Sequence, residues 1–157
     1  MQELGLWNVA AAHPERPAVV EADGTISSFA ALAGRVNQTS RWLRAEGMEV
    51  GDGIAVLLPN CVEYLEVAFA ASQVGLYFTP INWHLTPSEV AYIVRDSGSR
   101  LLVAHERFAE VAAAAADLAE LNSSGRIAVG ALAGFRSLDA ARRDESTALP
   151  PAAARGR

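Results

Sequence analysis

Apolar positions along this chain gather into four short extended runs, each separated from the next by a stretch of helical period. Residues 53–58 are continuously apolar, and Pro59-Asn60 ends that run and opens a helix that Gly75 closes. Residues 77–81 form a second run, followed by a helix closing at Gly98. Residues 101–104, a helix over about 107–121, and residues 127–129 continue the alternation. Strands alternating with helices predict a parallel sheet covered by helices. Upstream, Leu4, Trp7 and Ala11 predict a short helix within residues 1–12. Residues 18–22 and 25–27 flank Asp23-Gly24, a two-residue hairpin signal. Ser27 or Ser28 then caps a long helix with Phe29, Leu32, Ala33, Val36 and Leu43 along one face, and Gly47 is placed to end it. The expected fold class is therefore α/β: a partial parallel sheet with covering helices, preceded by an N-terminal helix and a β-hairpin.

The helix starts are written in detail. Thr86-Pro87-Ser88-Glu89 has a capping threonine, a proline where its missing N–H costs nothing, and a glutamate placed to reach back. Asn60 and Glu63 form a similar pair. The run Ala112 to Ala116 secures its helix but leaves little side chain to pack. Beyond Gly130 the pattern decays. Residues 139–157 are rich in Ala, Arg, Asp and Pro and read as a disordered tail.

Composition narrows the classes. The chain has 157 residues, enough for one domain with a real core, and is 51% hydrophobic and 20% charged. Its net charge is -5, with no basic stripe, which argues against nucleic acid and against an anionic membrane surface. No apolar run approaches the roughly 20 residues of a membrane span. One cysteine, Cys61, excludes an internal disulfide and fits a reducing compartment, so a cytoplasmic location is expected. All 13 basic residues are arginines. A mechanism that needs a lysine is excluded for these residues by themselves.

Few residues offer chemistry. Trp83 and His84 follow a strand, the position where open sheets bind ligands. They are candidate substrate-binding residues for an apolar or planar group, or else half-buried loop residues covering the sheet end. His105 also follows a strand and reads as a helix-start residue. Cys61 stands in a helix's first turn, where a thiolate gains stability, yet no base can be assigned to it, and a small buried residue is the simpler reading. Arg95 and Asp96 read as a solvated pair. No catalytic residue is assigned. His13, His84 and His105 lack metal-ligand spacing, so no metal site is expected. No phosphate-binding glycine loop and no Gly-x-Ser-x-Gly elbow occurs.

Taken in order, several segments resemble one family. His13-Pro14-Glu15-Arg16-Pro17-Ala18 resembles the "hPd-PA" opening of the adenylate-forming acyl-CoA synthetases, the superfamily of fatty-acid–CoA ligases and luciferases. Ser28-Phe29-Ala30-Ala31-Leu32 resembles its "T-Y-x-E-L", residues 47–52 its "G-V-x-x-G-D", and residues 54–60 its "V-A-I-x-L-x-N". Residues 75–82 resemble "G-A-V-x-x-P-I-N", and residues 85–97 resemble "L-x-x-x-E-L-x-Y-I-L-x-D-S". The order and spacing hold over roughly residues 7–105. Gly53 and Ser28 depart from the usual Arg and Thr.

The resemblance implies ATP-dependent activation of a carboxylic acid, a fatty acid by the flavour of Trp83-His84, through an acyl-adenylate to a coenzyme A thioester. ATP, Mg²⁺ and coenzyme A would serve the intact family, and no cofactor is expected for this chain alone. Residues 1–138 then read as the first part of a large N-terminal domain. The family's phosphate loop, its Tyr-Gly-x-Thr-Glu segment, its ribose-binding aspartate and its catalytic lysine are not found in these residues. The expectation is a chain inactive by itself, with exposed sheet edges that favour self-association. The tail's GC-rich codon flavour suggests a frameshift or early stop. A free-standing α/β ligand-binding or interaction module is the alternative; a flavodoxin-like regulator would need an acidic cluster or phosphate site at the strand ends, and none is legible.

Overall fold

The computed structural model describes residues 5–150. Leu4, expected on the first helix, lies outside them, as do residues 151–157. Helix α1 spans Leu6–Ala12, and strands β1 (Pro17–Val20) and β2 (Ile26–Ser28) form the antiparallel hairpin. Its connection is five residues long rather than two. The Asp23 side chain takes the Thr25 N–H at 2.8 Å, and Gly24 turns the chain at φ 88°. Helix α2 (Phe29–Ala45) follows at once, with the Ser28 hydroxyl accepting the Ala31 N–H at 3.2 Å.

The predicted alternation is realised as β3 (Gly53–Leu57), α3 (Val62–Val74), β4 (Tyr77–Pro80), α4 (Pro87–Asp96), β5 (Ser99–His105), α5 (Ala109–Leu118) and β6 (Arg126–Val129). A two-residue strand, β7 (Arg136–Ser137), and helix α6 (Leu138–Arg142) complete the order. All five strands from β3 to β7 run parallel, in the order β4-β3-β5-β6-β7. The chain moves from β3 outward to β4, then crosses back to β5. That reversal makes the carboxyl ends of β3 and β5 the topological switch point, where open α/β sheets form a crevice.

Period-two alternation sorts the strand residues between two cores. Ile54, Val56, Leu101, Val103 and Ile127 face α2, α3 and α6. Ala55, Leu57, Leu102, Ala104 and Ala128 face α4 and α5. The second core is lined by small groups, with Ala91, Ala112, Ala115 and Ala116 wholly buried. It therefore removes fewer methylene groups from water, each worth about 0.8 kcal/mol.

Three expectations differ from the structure. Asn60 does not cap α3. Cys61 occupies the cap position without a side-chain hydrogen bond, and the Glu21 carboxylate of the hairpin connection accepts the Val62 N–H at 3.3 Å. A residue 41 positions away therefore does what the local motif suggested Asn60 would do. The expected disorder from residue 139 does not describe residues 139–150. Arg142 is buried and bonded to Glu66 of α3 at 2.6 Å and to Thr39 of α2 at 2.9 Å. Asn37, Gln38 and Arg41 of α2 then donate to the backbone carbonyls of Thr147, Glu145 and Ala148. The composition of this segment is loop-like, but its main chain is held by side chains from elsewhere. Arg95 and Asp96 do not pair with each other: Arg95 donates to the Leu118 carbonyl at 2.7 Å, and Tyr92 donates to Asp96 at 3.5 Å.

Candidate functional site

The loop after β4 is shaped by its own first residues. Ile81 is buried, and its N–H bonds the Val56 carbonyl at 2.9 Å, carrying the sheet past the end of β4. The Asn82 side chain accepts the His84 N–H at 3.0 Å, and its carbonyl accepts the Leu85 N–H at 3.2 Å. This turn lifts Trp83 and His84 away from the sheet before α4 begins. The helix start is fixed by Glu89, whose carboxylate accepts the Thr86 N–H at 2.8 Å and its hydroxyl at 2.7 Å. The Thr86 backbone bond, then the hydroxyl bond, holds the Glu89 carboxyl below its ordinary range.

The segment after β5 meets that loop. His105 Nδ1 accepts the Arg107 N–H at 3.0 Å, and Glu106–Phe108 form one 3-10 turn before α5. Phe108 lies half-buried against the second core. The Trp83 indole stacks on it, ring centroids 5.6 Å apart and planes 13° from parallel. The Arg107 guanidinium carbon stands 5.8 Å from the Trp83 ring centre and 5.9 Å from that of Phe108. His84 tilts onto Trp83 at 3.5 Å, and His105 meets the edge of Phe108 at 6.5 Å. Strands β4 and β5 flank β3, so the stack joins two loops across the carboxyl end of β3. Trp83 keeps 46% of its surface exposed.

The site therefore presents a π-face with a cation at its margin at the switch point of the sheet. Trp83 and His84 are both in it. His105 acts as the cap of a turn, as its position after a strand suggested. Arg107 and Phe108 are the residues that sequence reasoning passed over. They lie 24 and 25 positions from Trp83, beyond the reach of any spacing rule. The available signal was that both segments follow strands of one parallel sheet and carry aromatic or cationic groups within three residues of the strand end.

Cys61 behaves as a small half-buried residue. Burial pushes its thiol up to about 12, against the lowering hydrogen bond of the Tyr64 backbone. It lines an apolar cleft of about 600 Å³ between the hairpin and α3, with Val19, Val20, Glu21, Tyr64 and Leu65. A smaller polar cleft of about 260 Å³ lies at the opposite, amino-terminal end of β5 and β6. Two of its charges, Arg100 and Glu46, are already paired with Asp52 and Arg136. Among the described residues no group of three or more His, Cys, Asp and Glu side chains could hold a metal ion, and no helix is long and apolar enough to cross a membrane.

Residues 6–154 match the family model described as AMP-binding enzyme. A feruloyl-CoA synthase of Amycolatopsis is 39% identical over 116 residues, which are 73% of this chain and 24% of that protein. A long-chain-fatty-acid–CoA ligase of Mycobacterium tuberculosis is 32% identical over 106 residues, 66% of this chain and 21% of that protein. The chain thus spans about a quarter of the length of the curated relatives it matches. Among solved structures, an anthranilate–CoA ligase in complex with anthranoyl-AMP superposes with a TM-score of 0.83 at 23% identity, covering 94% of this chain and 28% of that one. The N-terminal domain of an M. tuberculosis protein, FACL13, superposes at 0.80 with 28% identity, covering 93% and 36%.

Proposed function

The chain belongs to the AMP-binding enzyme family, and on that premise we propose that it supplies the first part of an ATP-dependent acyl-CoA ligase, with Trp83 as a binding face for the adenine nucleotide portion of a substrate. The relatives' names give the reaction class: a carboxylic acid is joined to coenzyme A or to an acyl carrier protein. A fatty acid is the substrate we propose for the whole protein. ATP and coenzyme A share one chemistry, a planar purine carrying phosphates.

The single observation that carries this reading is the exposed indole backed by Phe108, with Arg107 beside it. A purine stacks on such a face, and base–aromatic stacking is worth about 1–3 kcal/mol. The guanidinium offers planar, bidentate hydrogen bonding to a phosphate at the edge of the stack. His84 offers a further polar group on the same loop.

These residues hold and orient; they do not perform the adenylation. A carboxylate attacking ATP needs cationic groups on the phosphates undergoing transfer, and the lysine that the family resemblance assigns to that step is not among these 157 residues. The proposal is tested by titrating the chain with ATP and, separately, with coenzyme A in a calorimeter, a readout that does not depend on Trp83 itself. Saturable binding of either is expected, weakened about tenfold or more in Trp83→Ala. Binding that is unchanged in Trp83→Ala would overturn the assignment. ATP–pyrophosphate exchange by the chain alone is expected to be absent; clear exchange would overturn its reading as a non-catalytic part.

A further inference from the structure

The turn that carries Arg107 and Phe108 hangs on a hydrogen bond that depends on the charge of one ring. His105 Nδ1 accepts the Arg107 N–H at 3.0 Å. A neutral imidazole has one acceptor nitrogen, and an imidazolium has none. Charging the ring would place an N–H against an N–H at the start of the turn. The next residue fastens the turn from another side. Glu106 Oε2 accepts the Ala131 N–H at 2.8 Å, from the loop after β6. That loop needs glycine at residue 130, since at its φ of 84° a Cβ would stand 2.4 Å from the Glu106 carboxyl. Consecutive residues thus hold the turn to itself, hold it to the neighbouring loop, and offer Arg107 and Phe108 to Trp83.

The bond from Glu106 to Ala131 persists while the carboxylate is ionised, whereas imidazoles change charge between about pH 5 and 8. The charged and titratable groups on the segments at this end of the sheet can be named. Glu106 and Arg107 share its turn, His84 stands on the loop after β4, and Cys61 and Glu63 follow β3. Residues 130–135, after β6, include none.

We propose that His105 is a positioning residue that makes the Trp83–Phe108 stack pH-sensitive: its neutral ring holds the turn, and its protonation loosens the turn and weakens adenine-nucleotide binding. The binding consequence rests on the function proposed above; the structural consequence does not. Asparagine is a strong capping residue that accepts the same backbone N–H and does not titrate. His105→Asn therefore separates capping from charge.

The test uses the full chain. Trp83 emission is followed from pH 8 to pH 5, with Trp83→Phe giving the signal of Trp7 and Trp42 to be subtracted. The wild type is expected to lose the stacked signal as the pH falls. His105→Asn should keep it throughout, and His105→Ala should lack it throughout. Nucleotide affinity of the wild type relative to His105→Asn should fall about fivefold over the same range, the ratio cancelling titration of the nucleotide's own phosphates. A wild-type transition that survives in His105→Asn overturns the proposal. So does a pH 8 nitrogen spectrum of the wild type showing the proton on Nδ1, a measurement that needs no variant to fold. If emission behaves as expected while neither chain binds nucleotide, the positioning role stands and the nucleotide reading fails.

Discussion

Arg142 of α6 sets its guanidinium 2.6 Å from the carboxylate of Glu66 on α3, and both side chains are sealed from water. Arg35 reaches the other carboxylate oxygen at 3.3 Å, Thr39 accepts from Arg142 at 2.9 Å, and Asp139 does so at 2.8 Å. This network ties the chain's last described helix to the two helices of the first core. Burying an ion pair is not by itself a large gain, but removing one partner strands the other. Arg142→Met is expected to cost about 3 kcal/mol, the lower end of the range for broken buried pairs because Arg35 remains. Glu66→Met with Arg142→Met should recover most of that loss. Denaturant melts of the wild type and the two variants check both statements.

The attachment of residues 145–149 runs through main-chain carbonyls. Asn37 donates to Thr147 at 2.9 Å, Gln38 to Glu145 at 2.9 Å, and Arg41 to Ala148 at 3.3 Å. Arg41→Ala is therefore expected to speed proteolysis within this segment several-fold. Thr147→Ala leaves the same carbonyl in place and should change the rate little.

Glu46 at the end of α2 grips Arg136 of β7 through two bonds, at 2.9 and 3.0 Å. Those side-chain bonds are the first cause holding its carboxyl below the ordinary range, with burial opposing them. A carboxyl depressed in the folded state adds stability above its unfolded titration and loses it as the pH falls through the folded one. Thermal midpoints should therefore decline below about pH 5. The decline should be shallower in Glu46→Gln, which no longer ionises. An equal slope in both proteins would assign it to other carboxylates.

Cys61, with its thiol pushed up to about 12, holds very little thiolate at neutral pH. Alkylation at pH 8 is expected to run at least about tenfold slower than for an unfolded cysteine. Denaturant should restore the ordinary rate. Rapid labelling of the folded chain would contradict the burial seen here.

Strand β4 is an edge of the sheet, and Tyr77 on it keeps 71% of its surface exposed. Open edges invite pairing with other chains. Self-association through this edge is expected to appear in sedimentation as a concentration-dependent shift. Tyr77→Lys should suppress it, and a monomer at every concentration would exclude it.

The strand–helix alternation over residues 53–129, a hairpin turning at Asp23-Gly24, a serine cap at residue 27 or 28 and the Glu89 pairing with Thr86 were legible in the sequence. Each rests on residues within a few positions of one another, where period and backbone preference act directly. The capping of α3 was not legible, because Glu21 comes from a different element and only the folded hairpin brings it to Val62. The order of α6 was hidden for the same reason. Its composition resembles a loop, and what secures it is Glu66, 76 positions away. Half of the candidate site was visible, since Trp83 and His84 follow a strand.

What the sequence determined by itself was the local grammar: which residues extend, which coil, and where glycine or a capping side chain ends a helix. Those choices depend on neighbours a turn away. The tertiary structure decided the strand order β4-β3-β5-β6-β7, and with it the place where the chain reverses. Because β4 and β5 lie on either side of β3, the loops after them meet, and Trp83 finds Phe108 and Arg107. That meeting is a consequence of sheet topology, and no pattern within either segment encodes it.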